Sequence, residues 1–480
     1  MEATKLSGIA PKAVFAYFEK LCSIPHGSGN TEAISDYLVT FAQEQGIRYA
    51  QDERNNVILF GEATPGYEDH APVILQGHMD MVCEKVPGCP IDLENEGLQV
   101  THDGEYVFAE GTTLGADDGI AIAYALAILA DRSIPHPPLE VIVTVDEETG
   151  MNGASGIDLS PLKGRRMINL DSEEEGVFTV GCAGGVRCNV HIPVTRRAVY
   201  GPCIELTVEG LHGGHSGAEI HKNIANAHKV MGEFLSRVQK LMPLCLTAFS
   251  GGTKDNVIPS ACKVKLVAMG IGLERINDIA EALQKEIRET YDEPDAVIRG
   301  DDIDALGGNA LTTEDTAKFI AVLNAAPNGL QCWSKDIPDL VQTSLNLGII
   351  RVSDEAEFTF SVRSSVEQEK RDLQKRLQEL AEFYGGSFDA VGDYPEWAYR
   401  KDSPLREAMK ETYCELFGKE PAIAAIHAGL ECGILSKKLP DLDCVAIGPD
   451  IPDIHTPRER LNISSAERTW NFLLAVLKKL

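Results

Sequence analysis

A histidine and a carboxylate two residues apart close an apolar run, Val73-Ile74-Leu75-Gln76-Gly77-His78-Met79-Asp80. An imidazole suits a metal ion, and an acid beside it suits the task of aiming the ring. A lone His-x-Asp recurs by chance, so its weight depends on repetition along the chain. The Gly-rich turn Gly111-Thr112-Thr113-Leu114-Gly115-Ala116-Asp117-Asp118-Gly119 opens a strongly apolar stretch. Leu139–Val145 runs into Asp146-Glu147-Glu148, and Met167–Leu170 runs into Asp171. Much later, Asp443–Ile447 leads through Gly448-Pro449-Asp450 to His455. Helix capping accounts for one Asp at a helix start but not for two in a row. Three consecutive acids at a strand end repel one another, and a cation among them relieves that.

Two histidines with several carboxylates suit zinc or a similar divalent ion. The absence of a clustered thiol pattern argues against a purely structural zinc knot. More carboxylates are present than one ion needs. Two ions sharing a bridging carboxylate, about 3.5–4 Å apart, would use them and activate a water for hydrolysis. A spare Glu beside them would take the water's proton and hand it to the leaving group.

The elements that must position these groups alternate between strands and helices, which argues for an α/β sheet with ligands beyond the carboxyl ends of its strands. The periodicity predicts helices over 11–23 and 31–46 and a strand over Asn55–Gly61. Residues 84–111 form a Gly- and Pro-containing excursion of weak periodicity. From about 187 the pattern changes. Strands over 187–194, 203–208, Cys262–Met269 and 357–362 mix with helices over 219–240, 273–290, 312–325 and 367–384. This predicts an inserted α+β domain over 187–394, between two parts of a catalytic domain, 1–186 and 395–480. The second part carries helices over 403–417 and 465–480, and a further helix opened by Ile426-His427-Ala428-Gly429-Leu430-Glu431. Within the insert stand Gly213-Gly214-His215-Ser216-Gly217, Asp255-Asn256-Val257-Ile258-Pro259 and Val362-Arg363. His212 and His221 read as surface histidines.

The bulk properties exclude several classes. At 480 residues the chain is too long for one simple core. Its 44% hydrophobic and 24% charged residues are those of an ordinary globular protein. A formal net charge of −29 argues against nucleic acid as a partner. No apolar run is long enough to span a membrane. The first residues lack a secretory signal's basic start and apolar core. Twelve scattered cysteines without a C-x-x-C pair suggest reduced thiols, so a cytoplasmic protein is expected.

Taken in order, Gly-His78-Met-Asp80, Gly-Ala-Asp117-Asp-Gly, Asp-Glu147-Glu148-Thr-Gly, Asp171, Gly-Gly-His215-Ser-Gly, Asn256-Val-Ile-Pro and His455 resemble the dizinc metallopeptidase family that includes glutamate carboxypeptidase, aminoacylase, carnosinase and peptidase T. The resemblance covers nearly the whole chain. It implies a catalytic α/β domain with a mixed central sheet and helices on both faces, plus an inserted α+β domain serving as lid and dimerisation surface. It implies two Zn2+ per subunit, Co2+ or Mn2+ also suiting the ligands. His78 and Asp171 would hold one ion, Glu148 and His455 the other, and Asp117 would bridge them. Asp80 would orient His78, and Glu147 would be general base and acid. His215 would polarise the scissile carbonyl, in cis or from a partner subunit. Asn256 and Arg363 would bind the substrate's peptide or C-terminal carboxylate, and Glu431 its free ammonium. Asp118 would be a neighbour of the bridge. The expected activity is hydrolysis of unblocked dipeptides, Xaa-His and β-alanyl-histidine included, by a homodimer. The alternatives are a tripeptide aminopeptidase or amino-acid deacylase of the same fold, and a non-enzymatic metal-dependent binding protein.

Overall fold

The computed structural model describes residues 5, 6, 8–268, 270 and 272–480. The chain divides into two compact units. One comprises Met1–Gly181, Tyr399–Ala425 and Leu430–Leu480; the other comprises Cys182–Ala398 and Ile426–Gly429. The short segment 426–429, expected with the C-terminal part, groups with the second unit. The physical ties are the Ala183 N–H donated to the Ile426 carbonyl (3.1 Å) and the His427 Nε2 to Ser344 Oγ contact (2.7 Å).

Among the described residues, the first unit carries an eight-stranded sheet. Its spatial order is Arg48–Gln51, Val57–Gly61, Leu139–Thr144, Val73–His78, Arg166–Asn169, Asp443–Ala446, Val177–Cys182 and Ala422–Ile426. The third to sixth of these are mutually parallel, and antiparallel pairs flank them. The sheet is therefore mixed, as expected. Its parallel strands are almost wholly buried. Strands covered on both faces read as continuous apolar runs, which is why they stood out in the sequence. Register brings their carboxyl ends level: His78 lies opposite Thr144, and Asn169 lies opposite both Gln76 and Ala446.

The helix Ala116–Ala130 is buried from Ala116 to Leu129. A helix that is apolar all round belongs inside a core. Its first residues are not helical: Asp117 has ψ 101° and Asp118 φ −120°. Both carboxylates thus leave the helix on an irregular turn. Gly77 makes room for that turn. A Cβ there would lie 2.3 Å from Asp118 Oδ2 and 2.8 Å from Ala121 Cβ. Gly77→Ala is expected to cost about 1–3 kcal/mol through overpacking. A thermal unfolding midpoint equal to that of the natural protein would contradict this.

The excursion over 84–111 is more ordered than its periodicity suggests. Val100–His102 and Tyr106–Ala109 pair with each other, and Tyr106–Ala109 also pairs with Arg460–Asn462. These strands are three or four residues long and one partner lies some 350 residues away, so no local pattern announces them.

The second unit holds two larger sheets. One has the order Leu244–Gly251, Cys262–Ala268, Arg196–Glu209, Val297–Leu311; the other Gly329–Trp333, Val341–Val352, Glu355–Ser364, Gly184–Pro193, Ser387–Tyr394. Helices Ala227–Gln239, Leu273–Tyr291, Thr313–Ala325 and Glu367–Phe383 contribute to a shared apolar core with residues of both sheets. Met269, placed in a strand by its sequence, lies outside the described residues. The helix expected over 219–240 is broken: a 3-10 turn at Ile220–Lys222 precedes it, and Asn223 sits at φ 52°. The helix starts only after Asn226, whose side chain accepts from the His228 and Lys229 N–H groups. Asn at that position is a start signal, and it outweighs the apolar pattern upstream. No helix among the described residues is long and apolar enough to cross a membrane.

Candidate active site

Each parallel strand of the first unit delivers a titratable group from its carboxyl end. His78 ends Val73–His78; Glu147 and Glu148 follow Leu139–Thr144; Asp171 follows Arg166–Asn169; His455 lies on the loop after Asp443–Ala446. The turn before the buried helix brings Asp117 among them. His78 Nε2 stands 3.2 Å from Asp117 Oδ1 and 3.5 Å from Asp171 Oδ1. His455 Nε2 stands 3.2 Å from Asp117 Oδ2 and 2.9 Å from Glu148 Oε1. The two oxygens of one carboxylate therefore face two separate histidine–carboxylate pairs. Donor atoms of Asp117, Glu148 and His455 form one group within 4.8 Å of each other, and those of His78, Asp118 and Asp171 form another.

The charge balance of this cluster calls for cations. Asp117, Asp118, Glu147, Glu148 and Asp171 converge on two imidazoles, and no lysine or arginine among the described residues forms an ion pair with them. Burial pushes Glu147 up to about 9, with the charges of Asp171, Glu431 and Glu148 adding to it against His78. Burial likewise raises Glu148, Asp171 and, strongly, Asp118. Burial opposes the ionisation of Asp117 too, but hydrogen bonds from His455 and His78 hold it well below the usual carboxylate range. Pairing with Asp117 and Glu148 lifts His455 to about 10. Against burial, Asp171, Asp117 and Asp80 raise His78 well above its ordinary value. Nitrogen and oxygen donors held this close, with excess negative charge, fit a pair of divalent ions.

A consequence can be measured. Carboxylate neighbours raise both imidazoles in the metal-free protein and so favour their protonated form, whereas metal ligation needs them neutral. Metal uptake near pH 7 is expected to release protons, and affinity is expected to weaken as pH falls. Calorimetric titration in buffers of different ionisation enthalpy checks this; a buffer-independent heat would contradict it.

The second unit brings its own set together. His215 sits on the two-residue strand Gly214–His215, paired with Val257–Ile258, so that His215 faces Val257. The Asn256 carbonyl accepts the Ser216 N–H (2.9 Å). Asn346 Nδ2 donates to the carbonyls of Asp255 and Val257, 2.8 Å each, and fixes that ribbon. Arg363 is buried, donates to the Tyr394 hydroxyl (3.1 Å), and keeps its Nε–H without a hydrogen-bond partner. Burial and the Arg363 charge lower His215, and push His427 down to about 3.

Peptidase family M20/M25/M40 matches residues 74–479. The chain belongs to that family. It is 38% identical, over 99% of both chains, to the cytosol non-specific dipeptidase of Escherichia coli. The structure of aminoacylhistidine dipeptidase from Vibrio alginolyticus superposes with a TM-score of 0.92 at 37% identity, covering 98% of this chain and 97% of that one. Aminopeptidase PepT from Bacillus cereus shares the fold, with a TM-score of 0.56 at 16% identity over 98% and 99% of the two chains. The chain is accordingly a metallopeptidase.

Within this M20 peptidase several side chains stand differently from their sequence expectation. The acceptor that meets His78 Nδ1 is the Asp80 main-chain carbonyl, at 2.9 Å; the Asp80 carboxylate is at 3.6 Å. That carboxylate instead accepts from the Glu147 N–H (3.1 Å) and the Ser28 hydroxyl (2.7 Å). Asp80 thus steadies His78 through its backbone and Glu147 through its side chain. Glu431 is fully buried, and its Oε2 accepts from Gln76 Nε2 (2.7 Å) and Thr144 Oγ1 (2.5 Å). Gln76 in turn accepts from Asn169 Nδ2 (2.6 Å). Glu431 therefore ties three strand ends together, and its carboxylate is enclosed rather than presented to a substrate ammonium. Asp118, beside Asp117, accepts the His78 N–H (3.2 Å). His212 is exposed and paired with the buried Glu293 (2.6 Å), and His221 is exposed. Sequence reasoning passed over Ser28, Glu173, which joins Asp117 and Asp171 in a donor group, and His427. Glu173 lies in the acidic run after Asp171, which was its one available signal.

Proposed function

We propose that this metallopeptidase is a dipeptidase that hydrolyses unblocked dipeptides, Xaa-His and β-alanyl-histidine included. The observation that carries the chemistry is the Asp117 carboxylate, whose two oxygens face His78 with Asp171 and His455 with Glu148. The substrate class is supported by similarity over the full length to two proteins named as dipeptidases.

We assign two zinc ions: His78 and Asp171 would hold one and Glu148 and His455 the other, with Asp117 shared between them. When bound, such a pair activates water and polarises a carbonyl. Glu147, its backbone N–H fixed on Asp80, accepts a proton from the attacking water and returns it to the leaving amine. Burial raises Glu147, and cations beside it would lower it again, favouring the carboxylate that takes the proton. His215 donates from Nε2 to the carbonyl oxygen as it gains charge. Arg363, with an Nε–H to spare, and Asn256 take the substrate's terminal carboxylate. The second unit acts as lid and homodimer surface, and the protein is cytoplasmic.

A panel of free dipeptides, tripeptides and N-acyl amino acids tests this on metal-reconstituted protein. Hydrolysis of dipeptides, lost with chelator and restored by Zn2+, Co2+ or Mn2+, is expected. Ready hydrolysis of tripeptides would favour an aminopeptidase, and of N-acyl amino acids a deacylase.

A further inference from the structure

Glu459 is buried at 3% exposure, four residues beyond His455, yet it forms no ion pair among the described residues. Its carboxylate is filled by backbone. Oε2 accepts from the N–H groups of Leu114 (2.7 Å) and Gly115 (3.1 Å). Oε1 accepts from those of Ala116 (2.8 Å) and Asp117 (3.4 Å). A capping side chain ordinarily takes an N–H at the second or third helical position. Here one carboxylate gathers four consecutive donors from a turn that is itself irregular, and it reaches them from more than 340 residues away.

The same loop also meets the Asp117 side chain, because His455 Nε2 stands 3.2 Å from Asp117 Oδ2. The loop is tightly specified: Asp453 and His455 both have positive φ (61° and 58°), and the Glu459 N–H closes back on the Thr456 carbonyl (3.0 Å). Strand Arg460–Asn462 then anchors its far end against Tyr106–Ala109. One short loop therefore holds the Asp117 turn at two points, its backbone through Glu459 and its carboxylate through His455.

We propose that Glu459 is a positioning residue for the metal pair, setting the Asp117 bridge at the correct distance and angle from His455. Its contacts are with backbone N–H groups, Asp117's included, and not with the side-chain donor atoms of the proposed ligands. Free of Glu459, the four N–H groups would seek other acceptors, and the Asp117 carboxylate would turn away from one of its two partners. The proposal rests on the assignment of Asp117 as a bridge.

Full-length E459Q and E459D, stripped of metal and titrated with Co2+, test it. The readouts are visible absorption of the bound ion, turnover at each metal loading, and unfolding midpoints of the apo and loaded forms. In E459Q, one of the two Co2+ ions is expected to bind at least tenfold more weakly. Its kcat at stoichiometric metal falls at least tenfold, with KM little changed, and recovers in excess Co2+. The metal-induced rise in midpoint shrinks, since that rise follows metal affinity. E459D keeps the charge but shortens the reach, and falls between E459Q and the natural protein. Equal losses of midpoint in apo and loaded forms, with natural Co2+ affinity, would overturn the proposal and leave Glu459 as a support of the fold. If E459Q does not fold, E459D decides by the same measures. Failure of the natural protein to bind two ions would instead reject the bridge assignment itself, and the proposal with it.

Discussion

Replacing Glu147 by alanine will leave both metal sites filled and reduce turnover by about 10²–10⁴-fold, the range a positioned acid–base group supplies. The expectation combines place and environment. Glu147 directly precedes the proposed ligand Glu148, its backbone N–H is held by Asp80, and its carboxyl is pushed up to about 9 by burial and by the acids around it. Cations nearby would offset that rise and favour the carboxylate, the form that accepts a proton. Metal content by elemental analysis and kcat on one dipeptide decide the matter. Substantial residual hydrolysis with both ions present would sink the general-base assignment.

His215→Ala is expected to lower kcat by about 10²–10³-fold while zinc content stays at its natural level, as for loss of one oxyanion donor. The tautomer makes the role specific. His215 Nδ1 accepts from the N–H groups of Gly217 (3.3 Å) and Ala218 (3.0 Å). The neutral ring must then carry its proton on Nε2. Burial and the Arg363 charge lower its pKa, which favours the neutral ring. A neutral donor aimed by its backbone can meet developing negative charge without having to lose a proton first. A parallel loss of zinc in this variant would show that His215 supports the metal site instead. If the protein forms the proposed homodimer, mixed dimers made from His215→Ala and Glu147→Ala subunits separate action in cis from action in trans, since only the latter leaves one complete site.

How far the sequence reaches differs between the two units. The four parallel strands and the groups at their ends were legible because burial on both faces makes such strands uninterrupted apolar runs that stop abruptly at polar residues. The weakly patterned strands Val100–His102 and Tyr106–Ala109 were not, because their pairing with Arg460–Asn462 is long-range. Asn226 shows the reverse case, where a local capping signal stood in the sequence and, by outweighing the apolar pattern upstream, starts the helix later than that pattern suggests. Several polar pairings also escaped notice for want of a local signal. Ser28 is 52 residues from Asp80, and Gln76 is 355 residues from the Glu431 carboxylate it meets.

By itself, the sequence determined which residue types stand at the ends of which strands, and so the kind of chemistry: His78, Asp117, Glu147, Glu148, Asp171 and His455 each follow or border a segment whose periodicity is local. Tertiary structure alone decided how those groups face one another. The sorting of Asp117's two oxygens between two histidines, the enclosure of Glu431 and the grip of Glu459 on four backbone N–H groups are all relations between segments far apart in the chain. Such relations depend on distance and direction between side chains, which register and packing set, and which no periodicity in a single strand or helix records.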